Sequence, residues 1–424
     1  MKRTFLAMLP ALFVAVLFYQ CSGSTASAPV VDATAKTRID ATLKSFIDSG
    51  KIAGVSALVF EKDQEVYFNA FGYANREANI PMDRNTIVRI YSMTKPVTGV
   101  ALMTLYEQGA FQLDDPLSKY CPEFADMNVF TGVDEKGQLQ FEPAKRPITI
   151  RDITRHTAGF ANPDTTVLGE IIRKADLMNP SNTLSEMAHK LADMPLAFHP
   201  GDQWSYGICV EVQAYLVEKL SGMPFDQYLK QTIFDPLQMT NTRYVVPDSD
   251  TTRFAALYFR SDDGELSQMP WDRASAFHRK DRALKPGGWG LTSTLDDYMK
   301  FARMLVNKGQ LNDVRILKPE TVELMATNHL SDTISQRMWL PSKGRVGFGI
   351  DFAVRTSEPA NAEENNGVVG EFFWDGAAST LFWVDPKNEL AAVLFTQLMP
   401  FDRVKLHKRF RDAIYGPWEP KLAK

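Results

Sequence analysis

Cysteine is scarce in this chain, with three in 424 residues. Three thiols cannot build a disulfide framework, and their spacing matches no zinc site. The six histidines have no metal-ligand spacing and no H-E-x-x-H context, so no metal is expected. Neither sign of charge dominates, because 47 basic residues face 51 acidic ones. No basic block is dense enough for a nucleic-acid surface, which argues against that class of partner. There is no internal repeat, and the absence of a G-x-S-x-G elbow argues against an α/β-hydrolase fold. Gly287-Gly288-Trp289-Gly290 has no βαβ unit around it and reads as a turn near a pocket, not a dinucleotide fingerprint. No cofactor is called for. What is present, 45% hydrophobic and 23% charged residues, is the composition of an ordinary folded protein.

Lys2 and Arg3 precede a mostly apolar run from Phe5 to Tyr19, followed by small residues. This run is shorter than the roughly 20 residues of a membrane span, and its charge-then-apolar order is that of a secretory signal. Two processing readings stand. Residues 1–28 form a signal peptide ending at the A-x-A site Ala26-Ser27-Ala28, or the signal ends at residue 20 and Cys21 carries a lipid anchor. Either way the expected location is outside the cytoplasm, periplasmic or secreted, with membrane anchoring in the second case.

Residues 29–37 read as a linker. Ile39, Leu43, Phe46 and Ile47 then recur at helical spacing. Gly54 to Phe60 and Glu65 to Phe71, separated by Glu61-Lys62-Asp63-Gln64, predict a β-hairpin. Pro96 to Leu105 is apolar nearly all round and predicts a buried helix. Residues 114–282 are mainly helical, with a polar hairpin or flap over Thr131 to Arg146. Strands return at Gly347 to Val354, Gly370 to Trp374, Thr380 to Val384 and Leu390 to Thr396, and a helix near Arg403 to Ile414 closes the chain. The expected fold class is α/β. Residues 38–113 and 283–424 form one domain with an antiparallel sheet flanked by helices, and 114–282 is an inserted mainly helical domain.

The sharpest chemical signal is Tyr91-Ser92-Met93-Thr94-Lys95-Pro96. Positions three apart on a helix share a face, so the Lys95 amine can reach the Ser92 hydroxyl. A serine becomes a useful nucleophile only when a neighbour accepts its proton. Burial prepares a lysine for this, because desolvation disfavours the ammonium form. A helix N-terminus also supplies partial positive charge where an oxyanion develops. Tyr206, after the Pro200-Gly201 turn, is a candidate general acid-base. In Trp374-Asp375-Gly376-Ala377-Ala378, the Ala377 N–H is a candidate to pair with the Ser92 N–H as an oxyanion hole. Tyr91, Ile208, Trp289, Trp374, Asp375 and Gly376 are candidate substrate contacts. His156 is read as structural, holding a loop.

Together these stretches resemble the serine β-lactamase and D-Ala-D-Ala-peptidase superfamily, in particular its class C-like esterase branch, the family VIII carboxylesterases. Ser92 to Lys95 resembles the family's nucleophile motif. Ile148 to Ile153 through His156-Thr157-Ala158-Gly159-Phe160, Leu196 to Tyr206, Ile233 to Met239 and Gly287 to Thr294 carry the rest of the likeness. The resemblance implies the β-lactamase/transpeptidase-like fold and an acyl-enzyme mechanism on a small-molecule ester or amide. Two departures bear on substrate. Ile208 stands where β-lactamases have the Asn of Tyr-x-Asn, and Trp374 where they have the Lys of Lys-Thr-Gly. An isoleucine side chain neither donates nor accepts, and the tryptophan removes a cation for a substrate carboxylate. The resemblance therefore implies a carboxylesterase. The alternatives are a β-lactamase or D-Ala-D-Ala-carboxypeptidase, an acyltransferase, and a non-catalytic binding protein on the same fold.

Overall fold

The computed structural model describes residues 28–420. The leader, apart from Ala28, and the candidate lipid site at Cys21 lie outside the described residues. The 29–37 linker is corrected. The Asp32 side chain caps a helix, Ala33–Asp48, by accepting the Ala35 N–H. The N–H groups of Val30 and Val31 donate to the Glu61 carboxylate, so this stretch is tied to the end of a strand.

The predicted hairpin is β1 (Gly54–Glu61) and β2 (Gln64–Asn75). Its turn residues Lys62 and Asp63 both take left-handed φ, 51° and 59°, the pairing that matches the twist of the flanking strands. The sheet is completed by β3 (Ile80–Pro81), β4 (Val346–Phe348), β5 (Ala353–Arg355), β6 (Phe372–Asp375), β7 (Leu381–Asp385) and β8 (Leu390–Phe395). The strand order is β4-β5-β6-β7-β8-β1-β2-β3, antiparallel throughout. Leu58 on β1 faces Val393 on β8, so the two ends of the chain share one sheet, as their separated strands predict.

Both faces of this sheet are covered, which explains why its late strands are apolar without alternation. Neighbouring strand residues point to opposite faces. On β7, Phe382 packs 5.1 Å from Tyr298 of the Leu295–Val306 helix. The next residue, Trp383, packs 5.5 Å from Phe410 of the closing helix, Leu406–Tyr415. The flap is a hairpin of Asn128–Val133 and Leu139–Pro143.

Two expectations differ from the structure. Gly347 to Val354 is not one strand but the hairpin β4–β5, with Val346 opposite Arg355. Asp351 turns it at φ 59°, and a Cβ on Gly349 would overlap the Met325 carbonyl. The turn Gly349-Ile350-Asp351-Phe352 contains no proline or polar pair, so it is hidden inside an apolar run. The end of the 114–282 segment also joins the sheet side. Tyr258–Arg260 pairs with Leu398–Met399, and Arg243 bridges to Thr292.

Candidate active site

Ser92 sits in a short 3-10 turn, Tyr91–Met93, that runs directly into the Thr94–Glu107 helix. Thr94 to Met103 are all buried, the uniform burial that the apolar run predicts. Pro96 falls in the first helical turn, where its missing N–H costs nothing. Tyr91 is held at φ 44°, a left-handed strain for a bulky residue immediately before the serine. Ser92 is partly exposed, whereas Lys95 is only 5% exposed.

The Lys95 amine lies 3.3 Å from Ser92 Oγ and donates to the Gly288 carbonyl at 2.7 Å. It also lies 4.5 Å from the centroid of the Tyr206 ring. Tyr206 therefore meets the lysine with its ring face. Its hydroxyl accepts the Trp374 indole N–H at 3.2 Å, and among the described residues no hydrogen bond joins it to Ser92 or Lys95. His156, at φ 60°, packs 4.8 Å from the Tyr206 ring. Burial, with Lys95 nearby, pushes its imidazole well below the usual range, so it is neutral. Its carbonyl accepts the Ser205 N–H at 2.9 Å, which fits a loop-holding role.

The Trp374 group is placed differently from the expectation. β6 ends at Asp375, so Ala377 lies in the turn after the strand, not on it. A Cβ on Gly376 would overlap the Ile90 carbonyl, and this close approach brings the turn against the start of the Ser92 segment. Trp374 and Asp375 are buried, at 1% and 7% exposure. The candidate substrate contacts Trp374, Asp375 and Gly376 each have a partner within the protein. Trp374 acts on Tyr206, Asp375 on Lys343, and Gly376 on backbone packing. Replacing Trp374 with Phe removes the donor to the Tyr206 hydroxyl, a bond worth about 0.5–1.5 kcal/mol.

Ile208 and Trp289 line a cavity of about 380 Å³ together with Lys95, Tyr206, Ile172 and Leu177. Tyr91 does not line it. The two groups that sequence comparison marks as lost have spatial stand-ins from elsewhere in the chain. The Asn162 amide reaches the same cavity, but its Nδ2 donates to Ser205 Oγ and the Tyr206 carbonyl, each at 3.1 Å. Lys343 brings a cation to 5.7 Å from the Trp374 ring, but it is buried in an ion pair with Asp375. Both stand-ins are occupied within the protein.

Sequence reasoning missed Glu211 and Asp351. Both are buried beside Lys95, which pulls their carboxyl groups downward against a larger upward push from burial. Glu211 leaves one signal, an acid within the apolar Val210-Glu211-Val212 of a helix. Cys121 and Cys209 are buried free thiols. Among the described residues no group of His, Cys, Asp or Glu is arranged to hold a metal.

A serine heading a buried helix against an antiparallel sheet, with a lysine one turn on, is the plan of the serine hydrolases of β-lactamase fold, and this chain is one. It belongs to the beta-lactamase family, whose model matches residues 39–415. An uncharacterized protein of Mycobacterium tuberculosis is 33% identical over 365 residues, covering 85% of this chain and 89% of that one. The lovastatin esterase of Penicillium rubens is 28% identical over 408 residues, covering 89% and 98%. Among solved structures, EstCE1, described as a hydrolase with promiscuous acyltransferase activity, superposes with a TM-score of 0.74 at 26% identity, covering 90% and 99%.

Proposed function

We propose that this protein is a carboxylesterase that works through an acyl-serine intermediate. The observation that carries the reading is the 3.3 Å approach of the Lys95 amine to Ser92 Oγ at the edge of an apolar cavity. Ser92 Oγ attacks the ester carbonyl carbon while its proton passes to the Lys95 amine. The Ser92 and Ala377 N–H groups stabilise the oxyanion. Ala377 N–H makes no hydrogen bond among the described residues, which leaves it available. As the C–O bond breaks, the Tyr206 phenol gives its proton to the leaving alkoxide and is reprotonated with the proton that Lys95 took from Ser92. Water then attacks the acyl-serine, releasing the acid and restoring Ser92.

A neutral ester is favoured over a penicillin or a peptide carboxylate because the cation and the amide that stand in for the family's Lys and Asn, Lys343 and Asn162, are already paired internally. The names of the relatives support both ester hydrolysis and transfer of the acyl group to another alcohol. The mature chain is further proposed to be exported, a reading supported by the N-terminal charge-then-apolar order alone. The test is intact-mass analysis after a fluorophosphonate probe, with p-nitrophenyl esters and nitrocefin assayed in parallel. The expected result is one adduct, mapped to Ser92, with ester turnover exceeding nitrocefin turnover by more than about 100-fold, a difference of roughly 2.7 kcal/mol in barrier. An adduct elsewhere, or faster nitrocefin turnover, overturns the reading.

A further inference from the structure

We propose that Glu211 is a positioning residue for Lys95, holding through Gly288 the carbonyl that grips the amine and supplying the amine's counter-charge. This rests on the reading of Lys95 as the base for Ser92. Glu211 lies on the Cys209–Ser221 helix, immediately after the segment that carries Tyr206. Its Oε1 accepts the Gly288 N–H at 3.1 Å, and the Gly288 carbonyl accepts the Lys95 amine at 2.7 Å. One glycine is therefore pinned on both sides, by the acid through its N–H and by the base through its C=O.

The glycine pair is built for this place. A Cβ on Gly287 would overlap the Val210 carbonyl, and one on Gly288 would overlap the Glu211 carboxylate. The Gly287 carbonyl also accepts the Thr98 hydroxyl at 2.7 Å. The turn is thus clamped between the nucleophile helix and the helix after Tyr206, and any shift of it moves the lysine.

Glu211 is 4% exposed, so its charge needs a partner. The groups around it come from several elements. They are Lys95 on the nucleophile helix, Asp351 in the β4–β5 turn, His156, Cys209 on its own helix, and Tyr244, whose hydroxyl donates to the Pro286 carbonyl. His156 is neutral, and burial pushes Cys209 and Tyr244 up, so both stay protonated. Two acids then compete for one lysine. Asp351 Oδ2 has no hydrogen-bond partner, and burial holds that carboxyl well above the usual range. Glu211 alone of the two accepts a bond from the glycine that holds the amine. That bond and the nearby amine oppose the upward push of burial on its carboxyl, so of the two acids Glu211 is assigned as the counter-ion.

The test uses Glu211→Gln and Glu211→Ala in the full chain, with kcat/KM for a p-nitrophenyl ester measured across pH. Gln keeps an acceptor for the Gly288 N–H and removes the charge. Without the neighbouring anion the ammonium form of Lys95 is less favoured, so the acid limb of the Gln variant is expected to move down by about one pH unit or more. Ala also releases Gly288, and a further loss of about 10- to 100-fold in kcat is expected, the scale of a misplacement near 1 Å. A Gln profile that superimposes on the parent's overturns the proposal. An Ala variant as active as Gln at its optimum overturns the Gly288 link. Should the Ala variant not fold, the Gln profile decides alone. Ser92→Ala runs in the same assay. If it retains turnover the nucleophile assignment fails, whereas an inactive Ser92→Ala beside an unshifted Gln profile fails Glu211 only.

Discussion

Replacing Lys95 with methionine is expected to lower kcat/KM for a p-nitrophenyl ester by about 10²- to 10⁴-fold, the usual worth of a positioned general base. Methionine follows the stem of lysine and carries no proton acceptor of comparable strength. The amine that sits 3.3 Å from Ser92 Oγ disappears, and the serine must lose its proton to water. Fluorophosphonate labelling of Ser92 is expected to slow by a similar factor, because that reaction needs the same deprotonation. The variant should fold. The Gly288 carbonyl loses its 2.7 Å partner, at a cost of about 1–3 kcal/mol, and the buried Glu211 carboxyl, left without its counter-charge, takes up a proton instead. Undiminished labelling in a folded Lys95→Met protein would show that another group activates the serine.

Glu371→Ala should have the largest effect on stability while leaving the chemistry in place. Glu371 is fully buried, and its Oε1 accepts Arg355 Nε at 2.9 Å and Arg411 Nη1 at 2.8 Å. The two arginines are themselves 1% exposed. A guanidinium does not deprotonate inside a protein, so deleting the carboxylate strands two buried cations side by side. Removing one partner from a buried pair typically costs about 3–5 kcal/mol, and here one acid serves two bases. Arg411 also lies 4.7 Å and 4.4 Å from the Phe373 and Trp383 rings, packing that loses its anchor. Differential scanning calorimetry is expected to show Tm falling on the order of 10 °C, with kcat on esters at low temperature within about twofold of the parent. A fall of less than about 2 °C would mean that the arginines find other partners. The cluster joins β5, the loop before β6 and the closing helix, so its loss should first loosen the outer end of the sheet.

How much of this was legible in the sequence depended on how far apart the interacting residues are. The 62–63 turn announced itself between two β-rich runs, and uniform apolarity announced the buried nucleophile helix. Ser92 and Lys95 are neighbours by helical spacing alone, so their contact follows from three residues of sequence. The Gly349–Phe352 turn escaped because its signal is positive φ at Asp351 and close packing of Gly349 on Met325, neither of which leaves a polar mark. Trp374 was read as facing the substrate because its strand position is visible but its neighbours are not.

By itself the sequence determined the periodic elements, the Ser92–Lys95 contact and the family, because each rests on residues close together or on motifs in a set order. Only the tertiary structure decided which groups are free to act. It joined Lys95 to Glu211 through Gly288, bound the Tyr206 hydroxyl to Trp374, and neutralised Lys343 with Asp375. The physical reason is that hydrogen bonds and ion pairs in a buried site depend on which distant segments converge, and residue type alone carries no record of its partner.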